Sequence, residues 1–112
     1  MIRFSRLVPV ALLGAGLVNV PVFAANVEQG RVKAEQVCAA CHGKDGNTPI
    51  DPSYPRLAGQ YKDFLERALL DYRSDARKNP IMGATAKQLT RDDVRNLAAY
   101  YASLPGGLSV KK

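Results

Sequence analysis

Both cysteines of the chain lie in one five-residue motif that ends in its only histidine, Cys38-Ala39-Ala40-Cys41-His42. The chain has 112 residues, and 88 remain once the signal peptide predicted below is removed. A domain of 88 residues buries little apolar surface. Such a domain usually needs a disulfide framework, a metal or a large cofactor to hold it together. Two cysteines allow at most one disulfide, so the fold needs another stabilising element. The motif is where a metal or a cofactor would attach.

The spacing of the motif, C-x-x-C-H, is typical of covalent haem attachment. Two thiols three positions apart at a helix end can each add across one vinyl group of a haem, and the histidine that follows can then face the iron. We therefore predict thioether bonds from Cys38 and Cys41 and an axial iron ligand from His42. A single motif predicts one haem c per chain.

Three other kinds of site use the same residues. A thioredoxin-like redox pair needs a βαβ context, which this helical sequence does not offer. A closed structural zinc site needs four ligands, and the motif supplies three. A plain disulfide clip between the two cysteines would leave His42 without a role.

Residues 1–24 have the three-part pattern of a secretory signal peptide. Arg3 and Arg6 form a basic start, residues 7–18 are an uncharged apolar run, and Val22-Phe23-Ala24 resembles a cleavage site. We therefore predict cleavage after the last of these residues and location in the periplasm. The alternative is an uncleaved membrane tether, because residues 7–25 together are almost as long as a transmembrane span.

The rest of the chain predicts an all-α domain at residues 25–107, followed by a short, flexible basic tail at 108–112. Three main helices are predicted from apolar residues at spacings of three and four. They cover residues 27–40, 61–74 and 90–104. Long loops over residues 43–60 and 77–86 separate them, and the second loop has room for one short helical turn.

Capping residues mark the start of two of these helices. Asn26 precedes the first helix, with Gln29 at the position that completes a capping box. Thr90 precedes the last helix, with Asp93 at the same position. Gly30 inside the first helix costs about 1 kcal/mol relative to alanine, which indicates that another helix crosses closely there.

Met82 is the only methionine besides Met1. It lies in the segment Asn79-Pro80-Ile81-Met82-Gly83, where a loop can hold its thioether against a haem without the constraint of a helix. We predict that Met82 is the second axial ligand; the alternative is a methionine that fills a gap in the core. A His/Met pair raises the reduction potential and fills both axial positions, which favours one-electron transfer over binding of oxygen or peroxide.

In its motifs and their order, the sequence resembles the class I c-type cytochromes, and above all one half of the tandem dihaem cytochromes c of bacterial periplasms. The matching stretches are CAACHGKDGN at 38–47, YPRLAGQ at 54–60, NPIMG at 79–83 and LTRDDVRNLAAYYASL at 89–104. The resemblance implies a small all-α cytochrome c fold, with three main helices and long loops wrapped around one covalently attached haem. The sequence departs from the tandem relatives in having a single C-x-x-C-H motif.

The resemblance also implies roles for residues outside the motif. The Pro55 carbonyl would accept a hydrogen bond from His42 Nδ1, which would fix the imidazole tautomer; otherwise Pro55 is only a turn residue. Gly30 would lie where the first helix crosses the last, near Tyr100.

The chain is basic, with a formal net charge of +6. Arg56 is the first candidate for a haem propionate contact. Arg73, Arg77 and Lys78 either contact the propionates as well or meet an acidic docking face of a redox partner. The alternative for each is a solvated surface position. We expect no nucleic acid partner, because the chain is exported and contains no binding motif.

These features predict a periplasmic one-electron carrier that shuttles electrons between respiratory or dehydrogenase partners, including a membrane-bound oxidase or reductase, and performs no substrate chemistry. We expect a monomer or weak dimer. One alternative is a permanent haem subunit of a dehydrogenase that oxidises a sulfur compound, an alcohol or an amine. Another is a peroxidase-like or ligand-sensing protein in which Met82 leaves the iron. Without haem, the domain is expected to be largely unfolded.

Overall fold

The computed structural model of the chain describes residues 8–11, 14–16 and 24–106. The predicted tail at 108–112 lies outside the described residues, as does most of the predicted signal peptide. Within residues 24–106 the structure is helical and contains no strand. The helices are α1 (Val27–Val37), α2 (Ala39–His42), α3 (Lys62–Arg73), α4 (Pro80–Ala86) and α5 (Arg91–Ser103). None of the described helices has the length and apolar character that a membrane crossing requires.

The predicted first helix is divided in two at Cys38. Helix α1 ends at Val37, and Cys38 takes φ −116° and ψ −40° before the chain re-enters a helical turn as α2. The Cys38 carbonyl accepts hydrogen bonds from the N–H groups of both Cys41 and His42, at 3.2 and 3.0 Å. The prediction of one unbroken helix is therefore wrong at this point, because the chain tightens into a separate turn that carries the motif.

The capping box predicted at the start of α1 is correct in one of its two hydrogen bonds. Asn26 Oδ1 accepts from the Gln29 N–H at 2.9 Å. The Gln29 side chain does not return the bond; the Asn26 N–H donates instead to Asn96 Oδ1 at 2.8 Å, and Asn96 Nδ2 donates to Gln29 Oε1 at 3.3 Å. The second half of the box is replaced by an amide side chain of α5, so the cap also ties the two terminal helices together.

The close crossing expected at Gly30 is confirmed. A Cβ atom at Gly30 would lie 2.1 Å from the Asn96 carbonyl oxygen and 2.8 Å from Tyr100 Cβ.

Helix α5 is the central element of the core, and its start at Thr90 has the predicted capping box with Asp93. The buried cluster consists of Ala34, Leu65, Leu89, Val94, Leu97, Ala98, Tyr100 and Tyr101.

Residues 80–86 form a helix where the sequence predicted a loop with at most one helical turn. Asn79 caps this helix, since its Oδ1 accepts the N–H groups of Ile81 and Met82, both at 3.0 Å. Pro80 occupies the first turn, where its missing N–H costs nothing. Met82 therefore lies on a short helix, which corrects the expectation that a loop carries it.

Candidate cofactor-binding site

A cavity of about 1130 Å³ opens between α3, α4, α5 and the loop that follows α2. This volume exceeds the range of about 300–1,000 Å³ typical of small-molecule pockets, so it suits a large cofactor. All six residues singled out for the site line the cavity: Cys38, Cys41, His42, Pro55, Arg56 and Met82.

The two cysteines line the cavity as free thiols and are not joined by a disulfide. Burial raises the pKa of the Cys38 thiol to about 11, although a hydrogen bond with the Tyr101 hydroxyl opposes part of this effect. Cys38 is therefore a neutral thiol near pH 7. In the described part of the chain, no group of three or more His, Cys, Asp and Glu side chains is arranged to hold a metal ion.

The imidazole of His42 is buried, with 6% of its surface exposed. Its Nδ1 lies 2.9 Å from the Pro55 carbonyl oxygen. A carbonyl oxygen can only accept, so Nδ1 carries the proton and Nε2 keeps its lone pair. This is the tautomer that a metal-ligating histidine needs, and the hydrogen bond holds the ring in one orientation.

The loop over residues 43–60 reaches the histidine because backbone hydrogen bonds attach it to the core. The Leu57 N–H donates to the Gly46 carbonyl at 2.8 Å, and the Gly59 N–H donates to the Tyr101 carbonyl on α5 at 2.9 Å. Gly46 has φ +70°, and a Cβ atom there would lie 3.0 Å from the Tyr101 ring. Glycine therefore allows the loop to turn directly against α5 and present Pro55 to His42.

The charges that line the cavity have one sign. Arg56 and Arg77 are among the lining residues, whereas Arg73 and Lys78 are not. No aspartate or glutamate of the described chain lines the cavity. A planar apolar cofactor with two carboxylates, such as haem, matches both the predominantly apolar lining and these two guanidinium groups.

The side chain of Asn47 also indicates that the cavity holds a bound group. Its Nδ2 donates to the Pro105 carbonyl at 2.9 Å, while its Oδ1 is buried without a hydrogen-bond partner among the described residues. Asn47 also lines the cavity. A buried acceptor without a donor is costly, which agrees with a site that is completed by a bound group or a water molecule.

Sequence reasoning gave no role to three residues that shape the cavity: Asn47, Tyr72 and Asn79. The order Asn79-Pro80 is itself a helix-start signal, a capping residue followed by proline in the first turn. It could have predicted α4 and hence the helical position of Met82. The positions of Asn47 and Tyr72 depend on contacts between distant segments, for which the sequence carries no local signal.

Comparison with known proteins agrees with this geometry. A family model described as cytochrome C oxidase, cbb3-type, subunit III, matches residues 25–100. The chain belongs to this family of c-type cytochromes. Its family implies that the cofactor is haem c.

This cytochrome is 42% identical to cytochrome c4 of Thiocapsa roseopersicina over 78 residues, which cover 70% of this chain and 40% of that protein. It is 41% identical to cytochrome c-554(548) of Halomonas halodenitrificans over 69 residues, 59% of this chain and 82% of that protein. It is 33% identical over 102 residues to a protein of Stutzerimonas stutzeri named thiosulfate dehydrogenase electron acceptor, 87% of this chain and 47% of that protein.

The cytochrome also superposes on the crystal structure of reduced recombinant cytochrome c4 from Pseudomonas stutzeri with a TM-score of 0.68 and 34% identity. The match covers 76% of this chain and 48% of that chain. The predicted all-α cytochrome c fold is therefore confirmed. The chain spans about half the length of the cytochrome c4 relatives that it matches.

Proposed function

We propose that this cytochrome is a periplasmic one-electron carrier with one haem c, bound covalently through Cys38 and Cys41 and ligated by His42 and Met82. The observation that supports it most is that these four residues line one cavity with an apolar lining. Each thiol adds across one vinyl group, so that its sulfur bonds to one vinyl carbon and its hydrogen goes to the other. The bound haem would accept one electron from a donor protein and pass it to an acceptor protein.

The protein residues fix the electronic character of the site. His42 would bind the iron through Nε2, because its Nδ1 donates a hydrogen bond to the Pro55 carbonyl at 2.9 Å. Met82 would bind through its thioether, and Asn79 holds the Met82 backbone in place, since its Oδ1 accepts the Met82 N–H at 3.0 Å. Arg56 and the second cavity-lining arginine offset the charges of the two propionates. With His42 and Met82 both bound to the iron, no position would be left for a substrate, so the site would transfer electrons and perform no substrate chemistry.

The proposal includes export through a signal peptide at residues 1–24, cleaved after Ala24, with retention of that segment as a membrane tether as the alternative. We further propose that the carrier binds its partners transiently, as a monomer or weak dimer. The second candidate is a permanent electron-transfer subunit of a dehydrogenase. The similarity to the protein named thiosulfate dehydrogenase electron acceptor favours an oxidiser of sulfur compounds among such partners.

The first test combines mass spectrometry under denaturing conditions with absorption spectra of the oxidised and reduced protein. We expect the mass of residues 25–112 plus one haem, sharp bands in the reduced form and a methionine–iron charge-transfer band in the oxidised form. A protein without haem would contradict the proposal and return the cysteines to disulfide or metal chemistry. Copurification of a second chain would favour the dehydrogenase subunit.

Replacing Met82 by alanine is expected to remove the charge-transfer band, lower the reduction potential and let cyanide or carbon monoxide bind. Ile81→Ala is the matched control, because Ile81 is the preceding residue of α4, also lines the cavity and carries no ligating atom. If wild-type protein already bound both small ligands readily at neutral pH, Met82 would not be a stable ligand, and the ligand-sensing alternative would be preferred.

Electron transfer with an acidic partner is expected to slow as ionic strength rises, because the carrier is positively charged and salt screens the attraction. Stopped-flow reduction by ferrocyanide, an anionic one-electron reductant, measures this dependence. Hydroquinone is the neutral control and should show little change with salt. Equal salt dependence for the two reductants would contradict a positively charged electron-transfer surface on the carrier.

A further inference from the structure

Two arginines line the cavity, and one of them, Arg77, is held by an aromatic ring. The Arg77 guanidinium carbon lies 4.8 Å from the centre of the Tyr72 ring, which is within the range of a cation–π contact. Tyr72 lines the same cavity from α3. The ring therefore favours the conformations of this exposed side chain that lie at the cavity wall.

The turn after α3 brings Arg77 back to this position. Asp75 has φ +65°, a left-handed conformation that reverses the chain. The Arg77 N–H then donates to the Asp71 carbonyl at 3.0 Å, which closes the turn against the end of α3. These two backbone features set the place of Arg77 beside Tyr72.

The carboxylates near Arg77 are engaged with other cations. Asp75 binds Lys87, which lowers the pKa of the Asp75 carboxyl below its usual range. Asp71 lies 3.9 Å from Arg67. None of the ion pairs formed among the described residues includes Arg77. Its guanidinium thus retains hydrogen-bond donors for an anion from outside the protein chain.

We propose that Arg77, positioned by Tyr72, binds one propionate of the haem and thereby raises the reduction potential of the carrier. This inference rests on the proposed function. A guanidinium can donate two parallel hydrogen bonds to a carboxylate. Its positive charge also favours the reduced site, which carries one positive charge fewer than the oxidised site. Arg77 is therefore a potential-setting residue rather than part of a docking surface.

The flanking basic residues provide matched controls. Arg73 and Lys78 lie four residues before and one residue after Arg77, carry the same charge and do not line the cavity. A cation that only attracts a partner changes association rates and leaves the potential of the free protein unchanged. A cation bound to a propionate changes the potential of the free protein.

The experiment measures the reduction potential of the free holoprotein for Arg77→Gln, Tyr72→Leu, Tyr72→Phe, Arg73→Gln and Lys78→Gln. We expect Arg77→Gln to lower the equilibrium constant for reduction roughly threefold to tenfold, where tenfold corresponds to about 59 mV for one electron. Tyr72→Leu should lower it less, and Tyr72→Phe, which keeps a ring, should leave it unchanged. The two control variants should match wild type.

An Arg77→Gln potential equal to that of the Arg73→Gln and Lys78→Gln controls would overturn the inference while leaving the proposed function intact, provided that the His/Met spectrum is retained. If Tyr72→Leu fails to fold, Arg77→Gln and Tyr72→Phe decide the matter. A protein that carries no haem would overturn both proposals, and the mass spectrum identifies that case. Thermal unfolding of each variant separates a change in potential from a loss of structure.

Discussion

A chain with serine at both Cys38 and Cys41, prepared without haem, is expected to lose its cooperative unfolding transition and most of its helical circular dichroism. The protein core is small: Leu97 and Val94 are the largest side chains that are fully buried among the described residues. A small domain with a large central cavity and few fully buried large side chains usually needs a cofactor or another stabilising element.

The cavity walls explain why the cofactor has so large an effect on stability. Phe64 and Ile81 line the cavity with 53% and 55% of their surfaces exposed, and burial of such a side chain contributes about 1.5–3 kcal/mol. Helices α3 and α4 turn these residues toward the cavity, so their burial depends on what the cavity holds. We therefore expect the cofactor to supply most of the contacts that join these two helices to the rest of the domain.

The control is a pair of single variants, Cys38→Ser and Cys41→Ser, each of which keeps one thioether. Both should fold around haem with reduced stability, whereas the double variant without haem should not fold. This comparison separates the effect of the serine substitutions from the effect of losing the cofactor. A haem-free double variant with native-like helicity and a sharp thermal transition would show that the helices pack stably by themselves.

The positions of the longer helices could be predicted because they depend on the local spacing of apolar residues. The helices predicted over 61–74 and 90–104 differ from α3 and α5 by one residue at each end, because their apolar residues repeat over three turns or more. Helix α4 has seven residues, which are too few for a helical repeat of apolar residues to be recognised in the sequence. Its start was nevertheless encoded in the pair Asn79-Pro80.

The features that were missed involve residues far apart in the chain. The Asn26 N–H binds the side chain of Asn96, 70 residues away, and no local pattern distinguishes this arrangement from a capping box. In the same way, the sequence named four cations as candidates for the propionates without ranking Arg77. Only the turn at Asp75 and the ring of Tyr72 distinguish it, and both act through the folded chain.

Gly30→Ala is expected to destabilise the folded cytochrome by about 3 kcal/mol, at the upper end of the cost of overpacking a core. The added Cβ would lie 2.1 Å from the Asn96 carbonyl oxygen and 2.6 Å from its carbonyl carbon. Both are backbone atoms, so no side-chain rotation relieves the clash, and α1 must move away from α5. That movement would also break the hydrogen bond from the Asn26 N–H to Asn96.

Gly83→Ala in α4 is the matched control, because it makes the same change inside a helix where there is room. The nearest atoms to the added Cβ are Lys87 Nζ at 3.8 Å and the Tyr72 carbonyl oxygen at 3.9 Å, which are ordinary contacts. Alanine has the higher helix propensity and restricts the unfolded chain, so this variant should gain about 0.5–1 kcal/mol. Guanidinium unfolding of the holoprotein, followed by circular dichroism, measures both changes. A Gly30→Ala loss below about 1 kcal/mol would mean that the helix crossing can widen without cost, because overpacking a rigid contact costs at least that much.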